Sequence, residues 1–465
     1  MRLLFISAVG LGVGVLAFQR FRLALLAFVF LYATFPRFLS AGVSGEGFAL
    51  SVQFVTGVAL AGAWMTKWAL GEPAVREGLV QLRQARALWG AVLALYAYKV
   101  VATVLQSPIG IGIVSALTTE FLLSMLVVLA ASACVRTRRD VVAVLGAVVL
   151  ALVFNELWAV AETIKGAPLL DVEVEYKVVQ KSLHKGNYRP TGYRAMGTFT
   201  NPLLLSAFAC MIAPLALVVM RYGRAAPARL AWAPLALLLA VPAAYWTRSR
   251  SGMVAVFAVV GLAALLVLFG RVRMSRPLRV LIVALALGVS AASALGLYSF
   301  INELTTAQTG GLAADSSALG RLVQYVVAFD LLTESPRRLL LGFGVQRNLL
   351  TILSDLVNLD NYFLRTALEG GLVGLALFGW VHVRLGQALS LLAQGDAFEQ
   401  RYAFAARLSW VATIISMMFV SIPYNYLYFY LLVALTALLP GTSARWHRPG
   451  RGGASAAPTH AAASP

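Results

Sequence analysis

Four segments place side chains that could do chemistry inside an otherwise apolar sequence. In NYRPTGYRAMGTFTNPLLLSAF, Arg189 and Arg194 precede an apolar run, and Gly197, Asn201 and Pro202 mark an irregular helix start. Helix N-termini present unpaired N–H groups and the positive end of the helix dipole, which suits phosphate, and proline is tolerated in a first turn. The bland alternative is an arginine snorkelling to a membrane interface. In YWTRSRSGMVAVF, Arg248 and Arg250 share a very short turn before Ser251-Gly252, a pair that permits close backbone approach. Two cations on so short a turn are costly unless they face a cavity or a partner, with headgroup anchoring as the alternative.

The third segment, SSALGRLVQYVVAFDLLTESPRRLLLGFGVQ, has helical periodicity from Ser317 to Thr333. Leu322, Val326, Phe329 and Leu332 form one face, and Arg321, Gln324, Tyr325 and Ala328 form another. Pro336 stops the helix, and Gly342-Phe343-Gly344 predicts a tight turn. This helix either lies on a membrane surface or forms a lid whose Arg321 points back into the protein. In the fourth segment, LDNYFLRTALEGGLVGLALF, Asp360 and Asn361 stand at the start of an apolar run. Asp360 is a natural N-cap and also sits where a general base is useful. Glu369, beside Gly370-Gly371, is predicted to pair with Arg365 one turn earlier or with another arginine. A buried carboxylate in a span usually has a partner and a function.

The elements that position these residues follow from composition. The 465 residues are 60% hydrophobic and 12% charged, with mean hydropathy +0.81. Soluble domains are roughly half apolar and about a quarter charged, so a polytopic membrane protein is the remaining class. Apolar runs predict spans near 3–18, 21–36, 48–66, 87–105, 109–133, 141–161, 198–220, 230–247, 252–270, 278–298, 359–382, 403–421 and 425–440. The fold class is therefore all-α, with about 12–13 transmembrane helices, the first two short enough to form a hairpin. Residues 1–440 read as one domain and 441–465 as a disordered Ala/Pro/Gly/Ser-rich tail. The N-terminal run is followed by QRFR and a second apolar run rather than a cleavage region, so it reads as a retained helix.

Net charge is +19. In a soluble chain that would suggest nucleic acid; here the positive-inside rule accounts for it. Short connections carrying Arg20 and Arg22, then Lys67, Arg76, Arg83 and Arg86, then Arg136, Arg138 and Arg139, then Arg221, Arg224 and Arg229, then Arg271, Arg273, Arg276 and Arg279, then Arg384, Arg401 and Arg407, and finally Arg445, Arg448 and Arg451 alternate along the chain and mark a cytoplasmic side. The opposite side, called the outer end below, then receives two long loops, 162–197 and 299–358, which carry cations of their own. Cations there offer a site for an anionic ligand such as a pyrophosphate. Cys134 and Cys210 lie in apolar runs, and His184, His382, His447 and His460 are scattered, so no metal site is predicted. Span interiors read as nearly all apolar, with Lys99 an exception. That pattern argues against a transporter, which needs polar groups through the middle of many spans.

Taken in order, the four segments resemble the successive motifs of the O-antigen ligase / Wzy-type polymerase superfamily, bacterial inner-membrane glycosyltransferases of the GT-C fold. The resemblance covers roughly residues 190–385. It implies transfer of a glycan from undecaprenyl pyrophosphate to an acceptor hydroxyl on the periplasmic face, with no cofactor. Arginines matching Arg194, Arg250 and Arg321 would hold the pyrophosphate, with Arg248, Arg189, Asn361, Tyr325 and Glu369 around the substrate. Ligases of this superfamily carry His immediately before the asparagine matching Asn361, whereas this sequence has Asp360, an order more like that of repeat-unit polymerases. The expected function is polymerisation of lipid-linked repeat units. Ligation to lipid A-core and lipid-linked oligosaccharide transport are the alternatives, and a chain-length regulator is a possible partner alongside membrane lipids. Asp360, Arg194 and Arg321 are the expected catalytic residues. With no second outer carboxylate evident on a span, a single inverting displacement is expected over a retaining one.

Overall fold

The computed structural model describes residues 2–36, 41–43, 48–106, 111–170, 188–189, 192–199, 201–268, 316–345, 361–418 and 426–444. Every predicted span except 278–298, which lies outside these residues, coincides with a helix. In chain order the first helices are α1 (Arg2–Gln19), α2 (Phe21–Thr34), α3 (Val52–Ala69), α4 (Pro73–Gln84) and α5 (Arg86–Gln106). Helix α6 spans 111–134, with a π-helical stretch at Phe121–Leu126. Then come α7 (Arg138–Lys165), α8 (Pro202–Tyr222), α9 (Ala228–Trp246) and α10 (Arg250–Leu268). The last are α11 (Ser316–Thr333), α12 (Pro336–Leu341), α13 (Tyr362–Leu392), α14 (Ala397–Met417) and α15 (Tyr426–Ala444). Six of the helices among the described residues are long and apolar enough to cross a membrane, and shorter apolar helices accompany them. The chain is an all-α polytopic membrane protein. Two small antiparallel hairpins, Ala41–Val43 with Phe48–Leu50 and Tyr188–Arg189 with Gly192–Tyr193, are its strands among the described residues.

Helix α8 is the centre. It packs against α7, α9, α10 and α14, and 83% of its most apolar 18-residue window is buried. Such all-round burial fits a helix that is apolar on every face. Helix α15 is similarly enclosed from Tyr426 to Leu439. Caps set the boundaries. Thr137 and Asp140 form a capping box at the start of α7, as do Asp396 and Glu399 at α14. Partial burial works against ionisation of Asp396, but the Glu399 N–H and the Arg138 guanidinium hold its carboxyl below the usual range.

Several expectations change. The basic connection 67–86 contains a helix, α4, whose Arg83 lies in its last turn. Helix α7 continues past residue 161 to Lys165 and ends at Gly166, with φ 68°. Four residues assigned to the outer loop are thus helical, and a carboxylate, Glu162, is on the helix. Span interiors hold more charge than Lys99 and the expected Glu369: Glu120 and Glu156 are buried within them as well. Glu120 and Glu369 are matched with cations, as charges removed from water must be, rather than strung along a path.

Candidate functional site

The segment Tyr193–Phe199 forms a strap across the outer end. Ala195 N–H donates to Trp246 O at 3.1 Å, and Arg194 Nε donates to Thr247 O at 2.9 Å. Arg194 is thereby fixed on the C-terminal carbonyls of α9, where a cation is favoured by the helix dipole. Met196 and Gly197 N–H groups donate to one oxygen of Glu162, at 2.9 and 3.0 Å. Thr198 donates through its N–H and its hydroxyl to Asn155 Oδ1 at 3.1 and 2.7 Å. Gly197 has φ 62°, and a Cβ there would lie 2.9 Å from Asn155 Oδ1, so the motif needs glycine here. Asn201 then caps α8 by accepting the Leu203 N–H, with Pro202 in the first turn.

The strap meets the turn 247–250. Arg248 adopts φ 47°, a left-handed conformation unusual for a β-carbon residue, and its Nη1 is buried without a hydrogen-bond partner among the described residues. Ser249 Oγ accepts the Gly252 N–H at 3.1 Å. A Cβ on Gly252 would meet Ser206 Cβ at 2.4 Å, so the close approach expected of Ser-Gly packs α10 onto α8. Arg250 begins α10, and its side chain lies outside the described set. Arg189 pairs with Gly192 in the hairpin leading to the strap, again with its side chain outside that set.

A second junction forms where α11 reaches the start of α13. The face of α11 bearing Gln324 and Ala328 is turned inward, at 8% and 1% exposure, while Val326 and Phe329 are exposed. Tyr325, on the same expected face, is 47% exposed, so among its described residues that face is packed at Gln324 and Ala328 only. Leu332 departs from its expected face and is buried too, because that end of α11 rests on α12 and α13. The Arg321 side chain lies outside the described set. Tyr325, one turn on, accepts a hydrogen bond from Asn361 Nδ2 at 2.5 Å. Asn361 also caps α13, its Oδ1 accepting the Leu364 N–H at 3.0 Å. The N-cap is therefore Asn361 and not Asp360. Both types cap well, and the Tyr325 contact accounts for the asparagine taking the position. Asp360 itself lies outside the described residues.

Glu369 sits in a buried ion-pair network. It is 1% exposed and accepts from Arg365 Nε at 2.6 Å, the i,i+4 pairing the sequence predicted. Its other oxygen lies 3.6 Å from Lys99 Nζ, which also binds Glu120 at 2.9 Å. Immediately after Glu369 the helix breaks at Gly371, with φ 60° and ψ −161°. Three carbonyls at the break are taken by other segments. Phe343 N–H donates to Leu368 O, Gly344 N–H to Glu369 O, and Tyr98 hydroxyl to Gly370 O, at 2.8, 2.9 and 2.6 Å. The predicted turn at 342–344 thus docks into the broken helix.

Sequence reasoning missed two carboxylates. Glu162 and Glu156 both lie on α7, so a second carboxylate near the outer end does exist. Glu162 is committed to the strap. Glu156 is fully buried, with both oxygens unpartnered among the described residues. The signal was the run FNELWAVAET, in which Asn155 and Glu162 fall two turns apart on one helix face. Helix α14 packs against α8, α10 and α13 and so links the two junctions.

Residues 235–379 match the family model described as O-antigen ligase. The matched stretch contains the turn 247–250, all of α11 and the start of α13, but not the strap. The match supports placing the chain in the O-antigen ligase / Wzy-type superfamily. No curated protein matches the chain.

Proposed function

We propose that this member of the O-antigen ligase / Wzy-type superfamily polymerises undecaprenyl-pyrophosphate-linked oligosaccharide repeat units at the periplasmic face of the bacterial inner membrane. The observation that carries the reading is the seating of Arg194 on the turn of Arg248 and Arg250, through its 2.9 Å contact to Thr247 O. Arg194 is seated on the turn whose backbone carries Arg248 and Arg250, at one rim of an apolar bundle, where a pyrophosphate can be held while its carrier chain stays in the membrane. Charge on that leaving group grows as the glycosidic bond breaks, and fixed guanidinium groups stabilise it more in the transition state than in the ground state. Arg321, on α11, is assigned to the same pyrophosphate. Asp360, relieved of capping by Asn361, takes the proton of the acceptor hydroxyl, while Tyr325 and Asn361 shape the acceptor side. Glu162 is occupied by backbone N–H groups and Glu156 is enclosed. Neither is presented as a nucleophile, which supports inversion in one displacement.

Asp360 in place of the ligase histidine favours polymerisation. Ligation to lipid A-core is the second reading, favoured by the description of the matched family. Deleting the gene and analysing glycans on carrier lipid and at the surface tests both. Polymerase loss leaves single repeat units attached to lipid A-core. Ligase loss leaves polymer stranded on undecaprenyl pyrophosphate. Repeat units stranded on the cytoplasmic leaflet would overturn both readings in favour of transport.

A further inference from the structure

At the opposite, basic end of the bundle a cavity of about 1080 Å³ opens between α2, α7, α8 and the first turn of α9. Its mouth carries Arg22, Arg138, Arg139 and Arg224. Arg22 is paired with Asp140 at 2.7 Å, and Arg138 with Asp396 and Glu399. Arg139 and Arg224 have no carboxylate partner among the described residues, so the mouth is left with net positive charge. The interior has the opposite character. Ala143, Gly146, Ala147 and Leu150 line it at helical spacing along α7, with Val219 of α8 facing them. That stripe runs about 10 Å from the mouth into the span. A Cβ on Gly146 would meet nothing within 4 Å, so the groove is open there. Trp232 and Ala228, from the π-helical turn that opens α9, line the cavity as well.

We propose that this cavity is a binding site for an anionic phospholipid of the cytoplasmic leaflet, with its phosphate on Arg139 and Arg224 and an acyl chain along Gly146–Leu150. The assignment rests on charge and shape together. A soluble anion would use the mouth and leave the apolar groove open to water, whereas a zwitterionic lipid would fill the groove and leave the cations unmatched. Only an amphiphile with net negative charge satisfies both ends. The site lies apart from the strap and the α13 junction, so it does not depend on the polymerase reading.

The test uses the full chain in mild detergent and native mass spectrometry, with phosphatidylglycerol, phosphatidylethanolamine or inorganic phosphate added. Phosphatidylglycerol should be retained at least about tenfold better than phosphatidylethanolamine, since roughly fivefold is expected per surface cation engaged. The double variant Arg139→Gln/Arg224→Gln should lose about 25-fold in phosphatidylglycerol retention on the same basis. Gly146→Leu keeps every charge and fills open space, so it should fold normally, with an unchanged melting temperature, and still lose the lipid. Equal retention of the two lipids overturns the proposal, as does parental retention in either variant. Phosphate displacing phosphatidylglycerol at millimolar concentration would also overturn it, because the acyl groove would then contribute nothing. If the double variant aggregates, Gly146→Leu decides alone.

Discussion

The strap and the broken helix α13 both tie an outer segment to a span, and they do so with opposite chemistry. At the strap, backbone N–H groups of the segment converge on side-chain oxygens of α7, Glu162 Oε2 and Asn155 Oδ1. At α13 the span itself is opened, and its carbonyls accept N–H groups from the turn 342–344. The first arrangement spends one carboxylate and leaves the helix intact. The second unwinds a helix and surrounds the break with two cations and two carboxylates: Lys99, Arg365, Glu120 and Glu369. The strap carries Arg194, one of the cations proposed to hold a leaving group, whereas the broken helix begins at the residues proposed to handle an acceptor. The strap thus rests on intact helices, whereas the outer segment of α13, 362–370, is set off from the rest of its helix by a break.

The largest expected effect separates these halves by chemistry. Asp360→Asn should cost about two to four decades in transfer rate while donor binding is kept. Asn361 is the cap, so the substitution has no helix boundary to disturb, and a loss of activity cannot be assigned to capping. Single-turnover transfer in proteoliposomes, with donor affinity measured alongside, checks this. Parental turnover would remove the base from the acceptor half.

The next effect concerns stability. Among the described residues, Lys99→Met leaves Glu120 without its ion-pair partner and Glu369 with Arg365 alone, and breaking such a buried network costs about 3–5 kcal/mol. Adding Glu120→Leu should recover much of that loss, because replacing both members of a buried pair is far milder than removing one. Thermal unfolding in detergent reads both variants. If the single variant melts like the parent, the network does not support the break, and the contrast with the strap loses its electrostatic side.

The sequence made the spans legible, because runs of apolar residues report burial in lipid directly. It also identified the Arg365–Glu369 pair, since i,i+4 spacing is a local relation. The break at Gly371 was only half visible. Gly370-Gly371 announced flexibility, but the groups that stabilise an open helix come from Tyr98 and from Phe343 and Gly344, far along the chain. Glu162 falls in the expected outer loop because hydropathy drops near residue 161, whereas the backbone stays helical to the left-handed Gly166. Capping preference could not choose between Asp360 and Asn361, which are equivalent as caps. The contact with Tyr325 is tertiary and has no trace in local spacing.

The smallest effect tests whether the strap is held by charge or by geometry. Glu162→Gln keeps an oxygen that can accept the Met196 and Gly197 N–H groups but loses the negative charge. Hydrogen bonds to a charged acceptor are worth about 1.5–3 kcal/mol each and neutral ones about 0.5–1.5, so a loss of about 1–3 kcal/mol is expected for the pair. The amide nitrogen would then face Trp158 Nε1, which now donates to Glu162 Oε1 at 3.3 Å, and two donors in that position forfeit a further weak bond. Arg194 should stay seated, because its strap is also held by Ala195 N–H on Trp246 O and by Asn155. Transfer should therefore fall less than tenfold while the melting temperature drops measurably. A loss as large as that of Lys99→Met would mean that Glu162 answers a buried cation as Glu369 does, and the two junctions would then be built on one principle. A variant with parental melting and parental transfer would mean that Asn155 and the α9 carbonyls hold the strap, with the carboxylate contributing nothing.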